Sequence, residues 1–484
     1  MAAMHYKSAT ELASMIAAKE ISARELLEHF LARIERFDPA LNAFVWFDRD
    51  GARARADEAD QAQARGESWG PLHGVPMSVK ESFNMPGSPT TWGRPEFKDN
   101  VTNDTASLMR KMMAVGVVPF GKTNVPFNLA DWQSFNAIYG TTNNPWDVTR
   151  TPGGSSGGSA AALAAGLTGI EAGSDIGASI RNPAHYCGVY GHKPTHGIVS
   201  GRGQSLPGNV STTDIADVGP MARSAEDLAV SLIATAGPDQ LDDAGWRLDL
   251  PGPRHTALKD LRIAVMLDDA VAEVDMDYGD RLQATVDQLA KTGATISDRA
   301  APDFDTRRAF ELYLLLLRAA TSRGQNDAEV ENFAHIKDGL EPGDRTYLAR
   351  MARGITMPHR EWLMLNNERQ VLRQKWAAFF EEWDLLLCPA AASAAWPHDQ
   401  EGERHNRTIT INNKQVPTTD QLWWAGIAGM VYLPGTVAPI GLTRTGLPVG
   451  IQAIAGHLQD MTSIEFARLL AQEIGGFQPP PGYD

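Results

Sequence analysis

The chain is poor in cysteine, in long apolar runs and in clustered positive charge. Only two cysteines, Cys187 and Cys388, occur in 484 residues. They form no CxxC pair and cannot build a disulfide framework, so a reducing, cytoplasmic setting is expected. The N-terminal segment carries charges throughout and reads as an amphipathic helix, not a signal peptide. The longest apolar stretch, around FELYLLLLRAA, is too short to span a bilayer and is interrupted by Arg318. No membrane partner is expected. The formal net charge is −15 and no Lys/Arg-rich run appears. Nucleic acid, which needs a basic face, is therefore not an expected partner either. No internal repeat and no low-complexity linker divides the chain.

What is present is an ordinary globular composition, 43% hydrophobic and 21% charged, enough for a large core. Residues 8–37 show helical periodicity, and residues 48–66 read as a solvated, alanine-rich helix. PMSVK and VVPFGKT read as strands, with the helical ASLMRKMMAVG before the second. Further on, RIAVM, WDLLLCPA and GLPVGIQAIAG read as buried strands, and residues 305–385 are mostly helical. The Pro- and Asp-rich stretch 236–258 reads as a surface connection. Strands alternating with helices argue an α/β fold.

Two stretches imitate known sites. GVVPFGKT, Gly116 to Thr123, fits the Walker A pattern, but its apolar pair Val117-Val118 and the nearby Pro126 suit a strand ending in a turn. His185, His192 and His196 cluster, yet Pro194 and Gly197 disfavour a zinc-binding helix there, and no metal is expected.

The most informative stretch is TPGGSSGGSAAALAAG, residues 151–166. It runs into a strong helix former with tiny side chains, which argues against a flexible linker. No Lys or Arg lies between Arg150 and Arg181, which argues against a phosphate cradle. A catalytic loop remains. GGSSG fits the GxSxG nucleophile elbow, with Ser155 attacking and a later histidine as base. A second serine, Ser179 in GSDIGASIRNPA, lies 24 residues on, leaving room for a helix and a strand between. Upstream, Lys80 is a lone cation in an apolar strand, where burial would lower its pKa towards that of a general base.

Together these segments, with CGVYGHKPT, GKTNVPFN, TTNNPWD and the C-terminal GLPVGIQAIAG, resemble the amidase signature family of serine hydrolases over most of the chain. The resemblance implies one large domain over 1–484, a mixed sheet surrounded by helices. N-terminal helices would occupy 1–66, the catalytic core 67–235, and a helical cover 305–370. It implies Ser179 as nucleophile, Ser155 as bridging serine after a cis peptide bond, and Lys80 as base. The oxyanion would meet the N–H groups of Ile176, Gly177, Ala178 and Ser179. Asp175 and Arg181 would pair to hold the loop, Ser156 would bond Lys80, and Cys187 would be structural. Leu129, Ala130 and Trp132 are the expected pocket wall. Where this chain has Ala178 the family usually has glycine, which puts the acyl pocket in question. No cofactor is implied. The expected activity is hydrolysis of apolar or aryl amides, with carbamates and esters as near neighbours, by a monomer or homodimer acting on small molecules. The alternatives are an amidotransferase A-type subunit that releases ammonia from glutamine for a partner, and the Ser155 elbow esterase.

Overall fold

The computed structural model describes residues 3–484. Its centre is an eight-stranded mixed sheet in the spatial order Thr295–Ser297, Arg262–Val265, Leu385–Pro389, Pro448–Ala455, Gly435–Leu442, Tyr190–Lys193, Asp217–Ala222, Glu171–Asp175. Arg262–Val265 runs parallel to both of its neighbours. The remaining pairs are antiparallel. A smaller sheet places Val118–Thr123 between Phe44–Phe47 and Pro76–Lys80. A single bridge, Met77 to Ile170, joins the two sheets edge to edge. The sequence therefore builds one α/β domain with helices packed around the sheets. Among the described residues, no helix is long and apolar enough to cross a membrane.

Residues 8–37 do not form one helix. The first helix, Ala9–Ala17, ends before Lys19, which takes a left-handed φ of 59°. The second, Ala23–Leu41, starts on a Ser22–Glu25 capping box, each side chain bonding the other residue's backbone N–H. Phe44–Phe47 is a strand that the sequence pattern alone does not announce. The Walker look-alike is strand: Lys122 and Thr123 end Val118–Thr123, and the Lys122 ammonium donates to Pro89 O and Thr90 Oγ1.

The alanine-rich helix Gly157–Ala164 is buried along its whole length. Its small side chains let it lie directly against strand ends. A Cβ on Gly158 would sit 2.4 Å from the Asn124 backbone nitrogen and 2.8 Å from Ala43 O. Neither backbone atom can yield cheaply. Gly158→Ala is expected to destabilise the fold by about 2 kcal/mol or more, read by urea denaturation.

Candidate active site

Lys80 ends the buried strand Pro76–Lys80, and the bridge between the sheets brings it beside Glu171–Asp175. Its Nζ lies 2.6 Å from Ser155 Oγ, 2.9 Å from Ser174 Oγ and 3.4 Å from Ser174 O. Burial pushes its pKa down to about 7, against the opposing pull of the Asp175, Glu81 and Glu171 carboxylates. Those carboxylates are already committed. Glu81 accepts from the Thr91 hydroxyl and the Trp92 N–H. Glu171 accepts from the Ser78 hydroxyl at 2.6 Å, and burial lifts its pKa to about 8. Asp175 is held by Arg181.

Ser155 follows a cis peptide bond, Gly154–Ser155. Gly154 is required by close approach: a Cβ there would sit 2.3 Å from Asp131 O. The adjacent Ser156 N–H donates to Ser179 O at 3.1 Å, tying the two serine loops together. Ser156 does not reach the lysine as expected, because its Oγ turns towards Ser174 O at 3.5 Å. Ser174 supplies the second hydroxyl on Lys80 instead. Ser174 stands next to Asp175 in the GSD stretch, so strand alternation sends its side chain opposite to Asp175 and towards Lys80.

The loop carrying Ser179 is held from both sides. Arg181 makes a two-point bond to Asp175, with Nε to Oδ2 at 3.0 Å and Nη2 to Oδ1 at 2.8 Å. Its Nη1 reaches Ala425 O and Gln452 Oε1 at 3.0 and 2.6 Å. The Tyr313 hydroxyl donates to Ile176 O at 3.0 Å, and the Trp132 indole donates to Gly177 O at 2.7 Å. Fixing these carbonyls leaves the N–H groups of Ile176, Gly177 and Ser179 without partners among the described residues. Ala178 does not belong with them: its N–H is spent on Asp175 Oδ1 at 3.0 Å. Of the four N–H groups expected to meet an oxyanion, three are therefore free to donate.

Ala178 has φ 65° and is fully buried. A left-handed Cβ costs roughly 1–2 kcal/mol, partly offset by the extra unfolded-state freedom of a glycine. Ala178→Gly is expected to stabilise the protein by about 0.5–1 kcal/mol in equilibrium unfolding.

Ser155, Ser174 and Ser179 open onto one cavity of about 820 Å³. The sequence model of the Amidase family matches residues 25–463. This chain belongs to the Amidase family. The A subunit of a glutamyl-tRNA(Gln) amidotransferase from Thermosynechococcus vestitus is 31% identical over 97% of this chain and 98% of its own length. Its counterpart from Acidothermus cellulolyticus is 33% identical over 94% and 92%. Among solved structures, an s-triazine catabolic enzyme described with a vestigial protein complex superposes with a TM-score of 0.81. It shares 28% identity over 97% of this chain and 99% of its own.

In this Amidase-family chain, Leu129, Ala130 and Trp132 line the cavity, as do Trp92, Phe127 and Leu422. Leu317, Phe333 and Met351 bring walls from the helical region after residue 305. Those walls carry no motif, so the sequence could not single them out. Asp131, also at the cavity, is paired with Arg407 at 2.6 Å. No histidine hydrogen-bonds Ser155 or Ser179 among the described residues, so the elbow reading lacks its base. His185 lies between Ser393 O and the Gly450 N–H, and burial lowers its pKa to about 4. His192 is bonded to Thr436 and Asp460, and His196 to Asp217. Cys187 is buried, with its thiol pKa pushed well up.

Proposed function

We propose that this chain hydrolyses the C–N bond of apolar or aryl carboxylic amides through an acyl-enzyme on Ser179. The observation that carries this reading is the buried Lys80 amine, 2.6 Å from the Oγ of Ser155, which lines the same cavity as Ser179. Neutral Lys80 takes the Ser155 hydroxyl proton, and Ser155 takes that of Ser179 as Ser179 Oγ attacks the amide carbonyl carbon. The Ser155 and Ser179 hydroxyls share no hydrogen bond here, and the contact closes when substrate is seated, as such bonds commonly do. The N–H groups of Ile176, Gly177 and Ser179 meet the oxyanion, each worth roughly 3–4 kcal/mol. The proton held on Lys80 returns through Ser155 to the leaving nitrogen as the C–N bond breaks. Water then attacks the acyl carbon, giving the acid and restoring Ser179. Carbamates and esters present the same carbonyl to the same nucleophile.

The size and aromatic walls of the cavity support a drug-sized apolar acyl or leaving group. The amidotransferase names of the curated relatives favour a second reading, in which the same groups release ammonia from glutamine for a partner protein. The purified chain alone, assayed on a panel of anilides and on glutamine, separates the two. Anilide turnover without partner is the expected result. Turnover confined to glutamine, and raised by a partner with tRNA, would establish the second reading.

A further inference from the structure

We propose that Arg318 and Tyr347 form a subsite for a carboxylate that the substrate carries away from its scissile amide. This inference rests on the proposed hydrolysis at Ser179 and narrows its substrate class to apolar chains or rings that end in an acid. Four arginines line the main cavity: Arg318, Arg323, Arg404 and Arg407. Three are committed elsewhere. Arg323 donates to the Ser211 hydroxyl, Arg404 to Ala130 O at 2.5 Å, and Arg407 to Asp131 at 2.6 Å. Arg318, the residue that interrupts the longest apolar stretch, is different. Among the described residues its guanidinium makes no hydrogen bond and no ion pair, and its Nε is buried. The Tyr347 hydroxyl is likewise buried without a partner. The two side chains are neighbours, with the guanidinium carbon 5.3 Å from the centre of the Tyr347 ring, and both line the cavity. Buried donors are nearly always satisfied. Two unmet donors side by side in a cavity wall point to an acceptor that arrives with the ligand.

The surroundings select the kind of acceptor. At the cavity, Asp131 is held by Arg407, Asp175 by Arg181, and Glu329 accepts from the Asn326 N–H at the start of its own helix. Neither these nor Glu403 bonds Arg318. Leu317, Leu348 and Met351, from the same two helices, line the cavity with the pair. A guanidinium in an apolar wall without a counter-charge favours an anion, and its planar fork matches a carboxylate. The Tyr347 hydroxyl adds a further donor. The fold also brings the pair close to the chemistry. Arg318 follows Tyr313 by five residues in the helix Thr306–Thr321, about 7.5 Å along its axis. The Tyr313 hydroxyl donates to Ile176 O in the Ser179 loop. Tyr347 opens the helix Tyr347–Ile355, which packs so closely that a Cβ on Gly354 would sit 2.5 Å from Arg318 Cβ and 2.9 Å from Leu315 O. The stem of Arg318 is thereby wedged against the second helix, while its head is left without a protein partner.

The test measures a ratio, kcat/KM for an acid over kcat/KM for its neutral counterpart. One panel puts the acid on the acyl side: the mono-p-nitroanilides of succinic, glutaric, adipic and suberic acid against p-nitroanilides of alkanoic acids of the same length. The other puts it on the leaving group: p-(hexanoylamino)benzoate against hexananilide. Wild type is expected to favour the acid by about tenfold or more in one panel, chiefly through KM, and Arg318→Met to bring that ratio to about one. Arg318→Lys, which keeps the charge but not the fork, should fall between, and Tyr347→Phe should lower the ratio about threefold. A wild-type ratio near or below one in both panels would overturn the inference. So would a preference that Arg318→Met retains. Should Arg318→Met fail to fold, Arg318→Lys and Tyr347→Phe decide, and wild-type ratios in both would overturn it. The same pairs are titrated calorimetrically against Ser179→Ala, with and without Arg318→Met, which reads affinity without turnover. If wild type cleaves no anilide, the parent reading falls. Tighter binding of the acid that depends on Arg318 would still support the subsite, and equal binding would end it. Cleavage of the neutral anilides beside equal binding removes the subsite alone.

Discussion

Ser179→Ala is expected to lower kcat/KM by at least about 10⁴-fold, the scale on which serine hydrolases lose activity with their nucleophile. The three free N–H groups of Ile176, Gly177 and Ser179 stay in place in that variant, as do the cavity walls. Binding of an uncleaved amide should therefore survive while turnover does not. The check is twofold. Intact-mass analysis after fluorophosphonate treatment should show one adduct on the wild type and none on Ser179→Ala. Peptide mapping should then place the adduct on Ser179. An adduct on Ser155 would reverse the roles of the two serines and require a base other than the one argued here. The fold itself should be untouched, because Ser179 Oγ makes no hydrogen bond among the described residues, and its carbonyl, which accepts from Ser156, is unaltered.

Lys80→Met is expected to cost about 10³-fold in kcat, within the range of a lost general base. The pH profile is the more telling readout. Lys80 is lowered to about 7, so below that pH the amine is protonated and has no lone pair to offer. Wild-type kcat/KM should rise with pH through about 7, and this limb should vanish in Lys80→Met. Stability should rise with pH too, over the window above it. Between about 7 and the ordinary lysine value of 10.5, the unfolded chain binds a proton at this position that the folded chain does not. The group therefore makes the fold more stable as pH rises through that window, and its penalty is full below about 7. A methionine of similar volume carries no such penalty. Thermal melting of both proteins should show the variant gaining more on wild type at pH 6 than at pH 10. A variant that is inactive and also less stable at every pH would point to packing damage instead.

The residues proposed for the chemistry stand out in the sequence as local signals, and their roles come from the family those segments resemble. Lys80 is a cation in an apolar strand, Ser155 sits among the glycines before an alanine helix, and Ser179 stands 24 residues on. The strands Pro76–Lys80, Leu385–Pro389 and Pro448–Ala455 were visible for the same reason, as apolar runs between turn residues. The break in the first helical stretch was also written locally, in the Ser22–Glu25 pair, but continuous periodicity masked it. What escaped depends on contacts made across the fold. Whether Ser156 or Ser174 faces Lys80 is set by how strand Glu171–Asp175 lies against Pro76–Lys80. That the Ala178 N–H is taken up by Asp175 follows from where Arg181 holds that carboxylate. Phe44–Phe47 is a strand only because Val118–Thr123 pairs with it.

Arg181 carries a consequence for how the chain becomes an enzyme. Its guanidinium ties the Ser179 loop to Ala425 and Gln452, partners 244 and 271 residues further along the chain. Contacts of such sequence separation form late, because the closure of a long loop must come before they give anything back. The segment from Lys80 to Ser179 is synthesised early, yet two of the bonds that hold the Ser179 loop wait until Ala425 and Gln452 have left the ribosome. On the proposed reading, an unfinished chain bears a serine it cannot yet aim, and hydrolytic activity arrives together with the completed sheet.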